Sequence, residues 1–143
     1  MYSLLAKSMT VVALATTLTA CGSGDTVDDL AAFCNAKVTF EKVQQTGKVG
    51  EFGPALKAYT DKLPDNASPQ VSGTAKQMAK SWDAIYSKYE DQGGDPNAAL
   101  LVDGTPPPEI AGMRAEWTQE LSRTKVRAVY AFADKECTRD GVS

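Results

Sequence analysis

The chain has 143 residues, with 15 Lys and Arg against 18 Asp and Glu, a formal net charge of −3, and no histidine. This mild acidity excludes the basic stripe on which nucleic-acid binding depends. The absent imidazole excludes Ser-His-Asp and Cys-His catalysis, histidine metal motifs and histidine-held haem.

Residues 1–20 read as an export signal. One cation, Lys7, precedes an apolar run that begins near Met9 and ends in small residues and Cys21. The run is too short for a permanent transmembrane helix. Its close, Leu18-Thr19-Ala20-Cys21, resembles the lipobox of bacterial lipoproteins. The resemblance implies that the Cys21 thiol receives diacylglycerol, that a peptidase cuts just before it, and that acyl chains such as palmitate hold the mature protein on the extracytoplasmic face of the cell membrane. Removing residues 1–20 leaves 123 residues with 18 acidic and 14 basic side chains, a net charge of −4. That length suits one compact domain. No polybasic patch adds a second membrane signal, so the lipid is expected to do the anchoring.

Residues 21–25, which include Gly22-Ser23-Gly24, are expected to form a short tether, and residues 26–140 an all-α domain. The first helix is expected over 27–45, with Thr26 as cap and Asp28 and Asp29 at the positive end of its dipole. Leu30, Phe33, Cys34 and Phe40 supply its inner face, with Val38 on the flank. Gly47, Gly50 and Gly53 are expected to end it and form the first connection. A shorter helix over 54–62 begins at Pro54, carries Leu56, Tyr59 and Leu63 on one side, and stops at Pro64.

The third helix starts at Ser68-Pro69. Val71, Ala75, Met78, Trp82, Ile85 and Tyr89 then recur at spacings of three and four, the cleanest amphipathic stripe in the chain, until Gly93-Gly94. In the less regular stretch 91–109, the apolar patch 98–102 predicts a helical turn over 97–102 that packs on the bundle. The last helix is expected over 108–138. Ile110, Met113, Trp117, Leu121, Thr124 and Ala128 form one stripe, and Val126, Val129, Phe132, Ala133 and Cys137 carry the inner face onward. It would outrun its partners, so a bend or break is expected over 122–124. The reading is an up-down bundle of about four helices.

Of the three cysteines, Cys21 is the lipid site, which leaves Cys34 and Cys137 in an oxidising compartment. Two free buried thiols are the alternative to a bridge; zinc lacks the ligands. In an up-down bundle the start of the first helix lies beside the end of the last, and the two cysteines sit there. A disulfide is the expected outcome.

No catalytic set emerges. Tyr59, Tyr86, Tyr89 and Tyr130 could in principle hold a haem, yet aromatic residues at helical spacing are what a bundle core needs. Gly47-Lys48-Val49-Gly50 lacks the Ser or Thr of a phosphate loop, and Leu100 stands where a calcium loop beginning near Asp95 needs glycine. Glu116 and Glu120 read as a solvated face beside Arg123 and Lys125. Leu100, Leu101 and Val102, next to Pro106-Pro107-Pro108, either cap the core or act as a lid over an opening between helices.

The mature chain also resembles small helical actinobacterial lipoproteins, through Phe33-Cys34 early in the first helix and Lys135-Glu136-Cys137 at the end of the last. That resemblance implies fold and address, and transfers no activity or binding residues. The expected function is a non-enzymatic, membrane-tethered binding or interaction module without cofactor or metal. The alternatives are a phage-encoded lipoprotein that blocks superinfection and a small-ligand carrier with a pocket between helices.

Overall fold

The computed structural model describes residues 24–139. Cys21 and the export signal lie outside the described residues. Five helices follow one another: α1 (Gly24–Thr46), α2 (Val49–Asp61), α3 (Pro69–Asp91), α4 (Pro108–Glu120) and α5 (Arg123–Arg139). No named strand occurs among the described residues, only two isolated bridges. The expected count of four becomes five because the last long helix is broken.

The break falls at Leu121-Ser122. Leu121 leaves the helix with extended dihedrals, φ −109° and ψ 134°, and its side chain is buried. Ser122 then offers its carbonyl to the Val126 N–H at 3.0 Å and opens α5. The interruption resets the helical phase, so Thr124, expected on the buried stripe, is exposed. Val129 and Ala133 carry the inner face instead, each fully buried.

α1 packs on α2 and α5, and α3 packs on α2, α4 and α5. α1 begins at Gly24, ahead of the expected start, and Thr26 is helical where a cap was expected. The antiparallel approach of α1 and α5 brings the cysteines together: Cys34 and Cys137 are joined by a disulfide, with Cα atoms 5.5 Å apart. α3 matches its sequence reading at both ends. Ser68 Oγ accepts the Val71 N–H at 3.2 Å, Pro69 takes the first helical position, and the chain turns at Gly93, φ +81°.

α2 departs most from expectation. It starts at Val49, so Gly50, Gly53 and Pro54 lie inside the helix and only Gly47 belongs to the connection. Proline at 54 removes a helical donor. The first N–H groups of the helix find partners in the α3–α4 loop, which lets it start ahead of the proline: Val49 donates to the Ala98 carbonyl and Gly50 to that of Pro96, both at 2.9 Å. The Lys48 N–H donates to Glu51 Oε2 at 2.9 Å, the reciprocal half of a capping box. The two glycines serve close approach, not turning. A Cβ on Gly50 would stand 2.9 Å from the Pro96 carbonyl oxygen, and one on Gly53 would press on the Trp82 ring at 3.3 Å.

The same loop corrects the expected helical turn over 97–102. Asp95 organises a tight turn, its carboxylate accepting the Asn97 N–H at 2.8 Å and its carbonyl the Ala98 N–H at 3.0 Å. The chain then runs extended against the α1–α2 junction, where the Leu100 N–H donates to the Gly47 carbonyl. Val102 and Thr105 exchange two backbone hydrogen bonds across Asp103-Gly104, whose φ values of 51° and 77° make the two-residue turn of a tight hairpin. A loop satisfied by backbone pairing to a neighbouring element needs no helix of its own.

Candidate functional site

The centre of the bundle is a train of aromatic rings. Phe33 stacks on Tyr59 at 5.5 Å between centroids, and Tyr59 on Phe40 at 5.4 Å. Phe40 meets Phe52 edge-on at 5.2 Å, and Phe52 reaches Trp82 at 4.2 Å and Trp117 at 5.5 Å. The tryptophans meet edge to face at 5.7 Å. These rings come from α1, α2, α3 and α4 and occupy the axis where a ligand-carrying bundle holds its cavity. Both tryptophans are buried, in keeping with their place on the α3 and last-helix stripes.

Two polar atoms inside this train have no partner among the described residues: the Tyr59 hydroxyl and the Trp82 indole N–H. Trp117 differs, its N–H donating to the Met78 carbonyl at 3.0 Å. Burial pushes the Tyr59 phenol far above its ordinary value, and the carboxylates of Asp134 and Glu41 push the same way. Burial also raises Tyr130, against the lowering effect of the Gln44 side chain and the Arg114 charge. Tyr86 and Tyr89 are likewise raised, by burial first, and Tyr89 donates its hydroxyl hydrogen to the Asp95 carbonyl at 3.0 Å. Each shift holds a phenol in its neutral form, the opposite of what a base or an anionic ligand requires.

Three ion pairs join charged groups among the described residues. Lys37, its side chain only 15% exposed, bonds Glu41 at 2.6 Å and Asp134 at 3.0 Å. Burial works against its charge, but those two partners prevail and raise its pKa. Lys88 reaches Glu116 across the α3–α4 seam at 2.7 Å, so Glu116 belongs to an interhelical pair as well as to a solvated face.

The residues singled out from the sequence do not converge. Cys34 and Cys137 are bonded at the end of the bundle where α1 begins and α5 ends. Leu100 is fully buried in the core, Leu101 is half-buried, and Val102 is 55% exposed beside the Asp103-Gly104 turn. Among the described residues no group of three or more Asp, Glu, Cys or His is placed to hold a metal ion.

Several clefts open between elements among the described residues. One, about 600 Å3, lies where α1 begins and α2 ends and is bordered by Leu30, Leu63, Pro64, Asp29, Asp61 and Glu136. Glu136 is buried there and accepts a hydrogen bond from the Asn66 amide at 3.2 Å. Another, about 310 Å3, lies among α1, α2 and α4, with Gln44, Arg114 and Thr118 around the buried rings of Phe52 and Trp117. Sequence reasoning passed over this second cleft. In the sequence Arg114 is one more cation among acids, two residues before Glu116, and nothing in the spacing of Gln44, Phe52 and Trp117 says that three helices bring them together.

No family model, curated protein or solved structure matches this chain.

Proposed function

We propose that the protein is an extracytoplasmic lipoprotein, anchored to the cell membrane through lipid on Cys21, whose helical domain is a non-enzymatic binding or interaction module. The observation that carries this reading is Leu18-Thr19-Ala20-Cys21, followed by a helical domain that begins only three residues later, at Gly24. The Cys34–Cys137 disulfide supports it from a second side, since structural bridges belong to oxidising compartments. It also leaves Cys21 as the one cysteine outside the bridge. Two or three acyl chains, at about 0.8 kcal/mol per buried methylene, anchor stably without help from protein charge. No described helix is long and apolar enough to cross a membrane.

The module reading rests on what the chemistry of the domain offers. The chain has no histidine, its shifted tyrosines are held neutral, and its axis is filled by rings. Recognition then falls to surface clefts and exposed side chains rather than to a central cavity.

The test is Cys21→Ser in the native host or a bacterial surrogate. The wild-type protein incorporates labelled fatty acid and partitions with membranes; the variant accumulates as uncleaved precursor without label. Normal processing of the variant with undiminished membrane retention refutes the reading.

A further inference from the structure

We infer that the cleft around Arg114 is a binding subsite for a carboxylate carried on a small apolar body, the chemistry of a free organic acid or of a peptide C-terminus. This names a ligand class for the binding module proposed above and rests on that part of the reading, not on the lipid anchor.

Arg114 is half-buried on α4 and in the described structure has no acidic partner: the ion pairs there join Lys37 to Glu41 and Asp134, and Lys88 to Glu116. Its one hydrogen bond is long, 3.5 Å from Nη2 to the Gln44 carbonyl. A guanidinium has five donors in a planar fork, so most of its bonding capacity remains unused, and that fork matches a carboxylate with two parallel bonds. A half-buried charge with spare donors gains more from an anion than one in open water, because the surrounding protein screens less.

The walls decide what the anion is attached to. Phe52 and Trp117 line the cleft with rings at right angles, 5.5 Å between centroids. The Trp117 indole N–H is already committed to the Met78 carbonyl, so this part of the wall presents only carbon. Thr118 donates its hydroxyl hydrogen to the Ala115 carbonyl and adds no donor of its own. A volume of about 310 Å3 lies at the bottom of the range of roughly 300–1,000 Å3 usual for small-molecule sites. One cation and a small apolar wall suit a monocarboxylate with a short aliphatic or aromatic body. They suit a phosphate ester or a dicarboxylate less, because the lining holds no second cation for the added charge.

The experiment titrates the exported, disulfide-bonded protein with 3-phenylpropionate and with Gly-Gly-Phe, following tryptophan emission and the 15N–1H signals of the Arg114 side chain and the Trp117 indole. Saturable binding of either probe that moves those two signals supports the subsite. The tighter of the two identifies its source as free acid or peptide terminus. Arg114→Gln should weaken binding by about tenfold or more, Arg114→Lys by less, since it keeps the charge and loses the fork. Arg123→Gln, on an exposed position of α5, should leave binding unchanged. Circular dichroism checks that each variant folds. Equal affinity for 3-phenylpropionamide, undiminished binding by a folded Arg114→Gln variant, shifts confined to another cleft, or no saturation with either probe each overturns the assignment. Any of these with normal Cys21 processing refutes the ligand and leaves the tether standing.

Discussion

Replacing each core tryptophan by phenylalanine isolates the energetic consequence of a single N–H group. Trp82 is 0% exposed and Trp117 7%, and each touches Phe52 and the other. The two substitutions therefore remove the same atoms from comparable surroundings, and the loss of packing largely cancels in their difference. The Trp82 N–H is buried and has no partner among the described residues, so its removal recovers roughly 1–3 kcal/mol of desolvation. The Trp117 N–H donates to Met78 at 3.0 Å, and its removal forfeits about 0.5–1.5 kcal/mol. Trp117→Phe should thus be less stable than Trp82→Phe by about 2 kcal/mol or more. At roughly 4 °C per kcal/mol for a domain of this size, that is a Tm gap of about 8 °C. Urea and thermal unfolding of the oxidised proteins, followed by far-ultraviolet circular dichroism, measure the free-energy and Tm differences without depending on tryptophan emission. Full truncation sets the scale: Trp82→Ala should lose about 3–5 kcal/mol, a large share of the roughly 5–15 kcal/mol that holds a small domain together. Equal losses in the two phenylalanine variants, or a greater loss at 82, would refute the reasoning.

Two further outcomes follow from the core and its bridge. The Tyr59 phenol is raised by burial, so the unfolded chain, with an ordinary tyrosine pKa near about 10, releases that proton first. Stability from this group is complete below about pH 10 and falls as the pH rises beyond it. Tyr59→Phe, which removes the unpartnered hydroxyl, should keep or raise stability at neutral pH and flatten the alkaline decline in a series of Tm values from pH 8 upward; an unchanged alkaline slope would count against it. The Cys34–Cys137 bridge spans 103 residues of sequence, so the Cys34→Ala, Cys137→Ala double variant should lose up to about 4.7 kcal/mol, read as a lower urea midpoint; a midpoint equal to wild type would mean that the bridge does not form or does not constrain the unfolded chain.

The sequence by itself determined the elements whose signals are local. α3 was legible at both ends because Ser68-Pro69 is a cap followed by a first-turn proline, Gly93 accepts a positive φ, and a spacing of three and four leaves one face for Val71 through Tyr89. The Cys34–Cys137 pairing was legible because antiparallel first and last helices place their opposite ends together. The interruption of the last helix was foreseen within a residue or two, though its effect on phase, which exposes Thr124, was not.

Tertiary structure decided the rest, where one segment supplies what another lacks. Pro54, Gly50 and Gly53 look like the start of a helix and its preceding connection when read alone. Inside the fold they belong to α2, because the carbonyls of Pro96 and Ala98 satisfy the donors at its start and because the glycines admit Pro96 and Trp82 at close range. The segment 97–102 loses its expected helical turn for the same reason, its backbone bonded to Gly47 and Val49. The Arg114 cleft is likewise a product of three helices meeting. Periodicity reports which face of a helix is buried, but the partner to a cation is a property of neighbours distant in sequence: among the described residues, packing brings that guanidinium the Gln44 carbonyl of α1 and no carboxylate.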